Sequence, residues 1–477
     1  MFEAKRLHPI STLHNFSRNL KELIVPFIIF VFLGGNGTNA DLVFWLISIG
    51  SVLLVLAGGV LSWLRFTYRV EDGELRIEHG IIIRKKRYIP FERIQSLDYS
   101  EGIFHRPFGL VKVKVETAGG MGLNEPEAVL TAITKAEADA IQQILMSAKN
   151  NRRTTVDKLN ETEEELIYKI TPSELLLLAS TSGGVGVVIS AVIAFFFQFD
   201  EIIPYRRLFA GFERFIQSGI VFVSTLIFIG FIIAWVLAVI GTMFKYADFT
   251  VKRINDDLVI SRGLLEKRQT TIPLKRIQAV RIRENLIRQS LGYASVSLES
   301  GGGSFEKGDE SQVLLLPVIR KNKVAGLLQN VLNDYHLEAI FVPAPQRAKA
   351  RYVTRGLLIA FPFAVVPAFF FHPWGYLSLL LFFPAAIWSL LMYKDAGWNL
   401  ENQQLALRYR GLVKNTVYMK KTRIQSLSNQ ESYFQKKKDL ATVEAFVISG
   451  IGAGGGKVVD IEKHDAIQIY KWYSGTD

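Results

Sequence analysis

Three stretches of this chain, Leu42 to Leu64, Leu175 to Phe197 and Gly219 to Phe244, contain no Asp, Glu, Lys or Arg. Each is near or beyond the ~20 residues that a helix needs to cross ~30 Å of hydrocarbon. Backbone in hydrocarbon finds no water, so such stretches must close their hydrogen bonds within a helix. Two shorter runs, Gly356 to Phe371 and Tyr376 to Tyr393, contain Pro362, Pro367 and Pro384 and are separated only by His372, Pro373, Trp374 and Gly375. They predict a kinked hairpin whose freed carbonyls need other partners. The sixth and shortest run, Leu23 to Leu33, is counted as a crossing because the turn Gly34 to Asp41 joins it directly to the strong second run. The expected fold class is therefore a multi-pass α-helical membrane protein with six transmembrane helices in three hairpins.

The 49% hydrophobic content agrees with a membrane protein, and the absence of cysteine excludes disulfides, thiolate metal sites and cysteine nucleophiles. A net charge of +12 suits either nucleic acid or an anionic bilayer, so its location decides. With six crossings, the three short outer loops hold only Arg206, Arg207 and Arg214, leaving 53 of 56 basic residues on the N-terminal side. By the positive-inside tendency that side is cytoplasmic, with both termini on it, in the cell membrane. The basic excess flanks the spans, as at Arg347, Lys349, Arg351 and Arg355, where no acid offsets it. This favours the phospholipid bilayer as partner and argues against nucleic acid.

The polar remainder repeats three times. Ile89-Pro90-Phe91-Glu92-Arg93-Ile94-Gln95 returns as Ile272-Pro273-Leu274-Lys275-Arg276-Ile277-Gln278 and as Met419-Lys420-Lys421-Thr422-Arg423-Ile424-Gln425. Gly80, Gly263 and Gly411 precede the shared Arg by 13, 13 and 12 residues, while Gly109, Gly292 and Asp439 follow it by 16. A spacing this constant means one fold made three times. Asp72-Gly73 between alternating apolar residues predicts a hairpin. Strands are expected at Ile81 to Ile83, Tyr88 to Ile89, Ile94 to Tyr99, Leu110 to Thr117 and Val129 to Ile133, and a helix at Lys135 to Met146. Each copy reads as seven short antiparallel strands forming a small barrel capped by one helix.

The Gly, Ile-Pro, Arg-Ile-Gln and Phe-Gly-Leu or Leu-Gly-Tyr pattern, with each copy attached to a membrane hairpin, resembles the bacterial pleckstrin-homology (PH) domain family of membrane proteins. His8-Pro9 before an amphipathic segment is similar to the start of its three-copy members. The resemblance implies three PH-like β-barrel domains, no enzyme activity and no cofactor. It also implies a smaller single-copy family member as hetero-oligomer partner. The resulting plan is an amphipathic N-terminus (1–22), hairpin 1 (23–64), PH-like domain 1 (65–150), a charged linker (151–174), hairpin 2 (175–244) and PH-like domain 2 (245–340). A basic linker (341–355), hairpin 3 (356–393) and PH-like domain 3 (394–477) complete it.

Candidate headgroup or partner contacts are the cations on expected loops. Arg84, Lys85, Lys86 and Arg87 form the densest cluster, matched by Lys267 and Arg268 in copy two and by Lys414 alone in copy three. A basic loop near the bilayer attracts anionic lipid at ~1 kcal/mol per residue, against the alternative of a solvated turn. A second set, Arg106, Arg288 and Lys436, Lys437 and Lys438, follows the apolar pairs Ile103-Phe104, Leu286-Ile287 and Tyr433-Phe434. It suits a loop dipping into headgroups, although packing of those pairs onto the barrel is an equal alternative. The repeat signature (Gly80, Pro90, Arg93, Gln95, Gly109; Gly263, Pro273, Arg276, Gln278, Gly292; Gly411, Arg423, Gln425) reads as structural. Gly301 to Gly303, Gly454 to Gly456 and Gly119-Gly120 mark a hairpin turn, since a phosphate loop would need a Gly at Ile451 and a Ser or Thr at Val458. No catalytic or metal-binding spacing appears.

The expected function is a non-enzymatic membrane scaffold contributing to tolerance of membrane-directed antimicrobial compounds. A transporter with a cavity among the proline-broken helices is the alternative, and a membrane-embedded enzyme the third reading.

Overall fold

The computed structural model describes residues 4–12, 50, 53, 56–117, 127–150, 164–182, 220–301, 312–371, 374–449 and 452–475. Each copy supplies seven strands. Copy one has β1 (Lys5–Arg6), β2 (Thr67–Glu71), β3 (Glu74–His79), β4 (Lys85–Pro90), β5 (Ile94–Glu101), β6 (Leu110–Thr117) and β7 (Ala128–Thr134), then helix α1 (Lys135–Asn150). Copy two follows helices α2 (Pro172–Thr181) and α3 (Ile220–Tyr246). It has β8 (Glu164–Lys169), β9 (Thr250–Ile254), β10 (Asp257–Arg262), β11 (Lys267–Pro273), β12 (Ile277–Glu284), helix α4 (Leu286–Ser290), β13 (Tyr293–Ser300), β14 (Val313–Arg320) and helix α5 (Lys321–Gln329). Copy three has β15 (Val342–Pro343), helices α6 (Lys349–Phe370) and α7 (Phe382–Asp395), β16 (Gly397–Glu401), β17 (Gln404–Arg410), β18 (Lys414–Lys420) and β19 (Ile424–Gln430). It closes with helix α8 (Tyr433–Lys436), β20 (Leu440–Ser449), β21 (Gly452–Glu462) and helix α9 (Lys463–Ser474).

The chain forms two compact units, Met1–Glu164 with Asp257–Pro273, and Glu165–Asp256 with Leu274–Asp477. In the first, β1-β2-β3-β4 make one sheet, and β7-β6-β5 continue into β11 and β10. Leu75, Ile94, Val113, Leu130 and Ile141 share its buried core. In the second, β14-β13-β12 continue into β18-β17-β16-β15, while β19-β20-β21 stand as a three-stranded sheet. Leu405, Val417, Val443, Val458 and Ile469 fill the core of copy three. The expectation of three self-contained barrels is thus corrected: the strands form four sheets, and each N-terminal half of copies two and three pairs with the preceding copy.

Local chemistry explains the repeat spacing. Asp72 and Gly73 both have positive φ (54° and 74°), the two-residue turn that matches strand twist. Gly109, Gly292 and Asp439 all adopt positive φ (63°, 74° and 50°), and their carbonyls accept the N–H of Lys135, Lys321 and Lys463 at 3.1, 2.9 and 2.9 Å. That bond starts the capping helix in every copy. Asp is among the few non-glycine residues that tolerate the left-handed region, which is how copy three keeps the turn after losing glycine.

The expected six crossings are also corrected. Among the described residues three helices are long and apolar enough to span a membrane: Phe228–Tyr246, Gln346–Phe370 and Gly375–Asp395. The run Leu23 to Leu33 lies outside the described residues, and of Leu42 to Leu64 only its end, within the helical residues 56–65, is described without a break. Of the run beginning at Leu175, the described part is helix Pro172–Thr181 followed by Ser182, which is extended (ψ 144°), and the remainder to Phe197 lies outside the described residues. That helix starts as its sequence demands, with Pro172 in its first turn and a Thr171–Glu174 capping box.

Smaller differences follow the same logic. Ile81 to Ile83 form bends at an exposed hairpin tip rather than a strand, Leu286 and Ile287 open a short helix, and Gly454 to Gly456 lie inside β21 rather than at a turn. Gly119, Gly120, Gly302 and Gly303 lie outside the described residues. In the proline-broken pair, the Ser378 hydroxyl donates to the Ala364 carbonyl and Phe371 N–H to the Pro367 carbonyl.

Candidate functional site

Two strand joints tie the copies together, and they share one register. β11 lies antiparallel on β5 with Lys267 opposite Glu101, Arg268 opposite Ser100 and Gln269 opposite Tyr99. β18 lies on β12 with Lys414 opposite Glu284, continuing to Met419 opposite Ala279. Counted from the shared Arg, both joints match the same positions. At the second joint Lys414 Nζ lies 3.6 Å from Glu284 and 3.4 Å from Asp395, the last residue of α7. Asp395 also binds Arg410, so the end of the joint is fastened to the base of a candidate span. A cleft of about 710 Å³ opens beside it, lined by Glu284, Arg320, Lys321, Arg408, Lys414 and Tyr418.

A buried ion pair within copy two lies beside the same joint, and its arginine reaches across to copy three. Arg281 on β12 donates from Nε to Glu299 Oε1 (2.8 Å), from Nη1 to Tyr409 Oη (2.8 Å) and from Nη2 to the Gly455 carbonyl. Burial disfavours its charge, but Glu299 and Tyr409 more than compensate and raise its pKa. This pair was not among the sequence candidates. Its signal was available: Glu116 and Glu299 each follow the shared Arg by 23 residues within apolar strands, and both are buried. In copy one Glu116 accepts from Ser96 Oγ at 2.6 Å.

Copy three is fastened to α6 in the same manner. Asp460, fully buried, accepts from Arg351 Nε (3.0 Å), Arg355 Nη2 (2.9 Å) and Gln435 Nε2 (2.8 Å). Arg347 pairs with Glu462. The basic flank of this span is therefore offset by acids about a hundred residues away, contrary to the sequence expectation.

The structure separates the candidate cations. Lys85, Lys86 and Arg87 lie exposed along β4 with Arg84 just before it; Arg84 pairs with Glu78, and Lys86 Nζ lies 3.8 Å from the same carboxylate. Arg106 donates to the Leu264 carbonyl at 2.7 Å. Lys267 and Arg268 lie within the first joint, Arg268 pairing with Glu266 at 3.0 Å. Arg288 is buried, donating to Thr181 Oγ1 at 2.8 Å, and that burial lowers its pKa. Lys436, Lys437 and Lys438 surround the end of α8, with Lys437 4.6 Å from the Tyr433 ring centroid.

Of the repeat signature, Gly80 and Gly263 have positive φ (116° and 103°), whereas Gly411, one residue closer to its Arg, does not. Pro90 and Pro273 end β4 and β11. Arg93 is exposed, and Arg423 donates to the Lys275 carbonyl at 2.8 Å. Gln278 Nε2 donates to the Arg276 carbonyl at 3.1 Å, the Gln425 carbonyl accepts from Tyr473 Oη at 3.2 Å, and Gln95 lies within β5.

The apolar pairs do not pack onto the sheets: Phe104, Ile287, Tyr433 and Phe434 are all exposed, as are Ile82, Leu265 and Leu412 at the neighbouring hairpin tips. In the second unit these tips adjoin the candidate span α7 and the helix α2, whose following residue Ser182 lies 3.2 Å from Thr242 of the candidate span α3. Arg288 binds α2, and Trp388 of α7 donates to the Gly411 carbonyl at 3.2 Å.

Repeated seven-strand copies, each split into a four-strand and a three-strand half and capped by a helix, place the molecule in a known class. The bacterial PH domain model matches residues 22–149, 189–334 and 359–476, and the chain belongs to that family. It is also similar to the UPF0699 transmembrane protein YdbT of Bacillus subtilis (strain 168), with 40% identity covering 99% of each chain.

Proposed function

We propose that this chain is a non-enzymatic scaffold of the cell membrane, whose PH-like copies are locked to each other and to the spans on the cytoplasmic side and touch the inner leaflet through their apolar tips. The observation that carries the reading is the coincidence of exposed apolar side chains with attachment points to the membrane helices. Leu412 sits beside Gly411, whose carbonyl Trp388 holds, and Ile287 beside Arg288, which binds α2 next to the candidate span α3. Apolar tips with nearby cations suit insertion at the headgroup boundary. Lys436 to Lys438 beside Tyr433 and Phe434, and Arg84 beside Ile82 and Ile83, supply those cations. A scaffold braced in this way on the inner leaflet would contribute to tolerance of membrane-directed antimicrobial compounds.

A polarity-sensitive dye on Leu412→Cys in the otherwise cysteine-free chain tests the lipid contact. In nanodiscs its emission shifts to the blue relative to detergent, and more with anionic than with zwitterionic lipid. Identical spectra in all three environments refute it. The tolerance role fails if a deletion strain is no more sensitive to pore-forming peptides than its parent.

A further inference from the structure

The joints use one edge of each N-terminal half and one edge of each C-terminal half, which leaves one of each kind over. Among the described residues β4 is covered only by β3, and β19 only by β20. β4 is the counterpart of β11 and β18, each of which covers a preceding copy. β19 is the counterpart of β5 and β12, each of which is covered by a following copy. We propose that two molecules of this chain join head to tail, β4 of one adding antiparallel to β19 of the next.

The register follows from the two internal joints, which agree with each other residue for residue. Transferred to the free edges, it sets Lys86 opposite Asn429 and Arg87 opposite Ser428. Just beyond the strand ends it sets Arg84 opposite Glu431. Lys267–Glu101 and Lys414–Glu284 occupy that last position in the internal joints. The third pair is again cation against glutamate, although within the chain Arg84 pairs with Glu78, and Glu431 with Lys463 at 3.0 Å, so forming it exchanges those partners. Opposite charges directly across an antiparallel pair favour that register, and like charges oppose it.

Burial gives an independent reason. In the covered strands, Thr416 to Met419 of β18 and Ile277 to Ile282 of β12 are buried. Of their counterparts, Lys86 to Tyr88 of β4, and Gln425, Ser426 and Asn429 of β19, are exposed, while Ile89 and Ile424 stay buried within the copy. A lysine-rich edge also deters pairing, so the charge of β4 decides nothing by itself. The matched register and the recurring Glu decide it. Strand addition supplies backbone hydrogen bonds for affinity and alternate side chains for specificity. Because the two edges differ, the contact is heterologous and extends into a ring or a filament.

The inference stands on strand register and not on the headgroup reading, and its test needs no lipid binding. Two differently tagged full-length chains, one Lys86→Cys and the other Asn429→Cys, are co-expressed and mildly oxidised in native membranes. The adjacent pair Arg87→Cys with Ser428→Cys is run beside them, so that both spacings of an antiparallel ladder are sampled. Lys86→Cys with Gln425→Cys, four residues out of register, is the control. We expect a disulfide between the two tags for at least one in-register pair and none for the control. Arg84→Glu should lower its yield, and Arg84→Glu against Glu431→Arg should restore it. No cross-link in either in-register pair, equal cross-linking of the control, or capture of a different protein such as a single-copy PH-like chain overturns the proposal. So does a doubly substituted chain that closes only on itself. Sedimentation of the unsubstituted chain in mild detergent reads the same question without cysteines: a monomer at every concentration also overturns it.

Discussion

Glu299→Ala takes the carboxylate from Arg281 and leaves the guanidinium buried, with Tyr409 Oη and the Gly455 carbonyl as partners. Glu299 is 0% exposed and Arg281 7%, so solvent screening offers no relief. Breaking a buried pair by removing one partner costs about 3–5 kcal/mol, because an uncompensated charge remains. At 1.36 kcal/mol per tenfold, that raises the open fraction of the joint by roughly two to four orders of magnitude. Removing both charges with Arg281→Met and Glu299→Leu should restore most of the loss, since well-packed apolar residues often replace such a pair at little cost. A chain of several domains has no single unfolding free energy. The assay is therefore hydrogen exchange of peptides from β12, β13 and β17 in the detergent-solubilised protein. The reasoning is refuted if Glu299→Ala changes protection by less than tenfold, or if the double variant is as unprotected as the single one.

Asp460→Ala leaves Arg351, Arg355 and Gln435 without their shared acceptor and should release copy three from α6. Limited proteolysis of β20 and β21 should become faster by at least tenfold, since the Arg351 and Arg355 guanidinium groups lose their shared carboxylate. Burial depresses the pKa of both His79 and His105, with Arg87 and Lys85 adding to the shift at His79 and the Thr131 carbonyl opposing it at His105. The unfolded chain then takes up these protons first, so their contribution is whole above pH ~6.5 and lost as the pH falls through that value toward the folded pKa. The melting temperature of the first unit should drop on acidification from pH 7, and His105→Gln should flatten the drop. Asp439→Gly should stabilise copy three by up to about 1 kcal/mol in denaturant titration, because the residue sits at φ 50° and copies one and two place glycine there.

What the sequence makes legible is whatever depends on near neighbours. Asp72-Gly73 announces its turn, and the fixed interval from Arg93, Arg276 and Arg423 to the residue that starts each capping helix reveals the threefold plan. Partner choice between strands is not legible in this way. The alternation in β5 or β18 looks the same whether the strand pairs within its copy or with the next one, because a pleated edge carries no address. The extended backbone of Ser182 within the apolar run from Leu175 is not legible for a related reason, because hydropathy carries no backbone conformation. Among the site residues, Arg288 looked like a loop cation, and its burial depends on Thr181, more than a hundred residues earlier. Glu101, Glu284 and Glu431 recur eight residues after the shared Arg, a polar regularity available to any reader who aligned the copies beyond their apolar core.

Sharing strands between copies also sets a timetable for synthesis. β5 is complete at Glu101, but the strand that covers it begins at Lys267. Those roughly 170 residues take about 10–30 s to emerge at 5–20 residues per second. For that interval β5 is an uncovered edge, the feature most open to pairing with the wrong chain. Asp98 and Glu101 place charge on it during the wait, and Asp98 later accepts the Thr271 N–H when β11 arrives. Residues that look like joint chemistry in the finished protein thus serve first as guards on the nascent one.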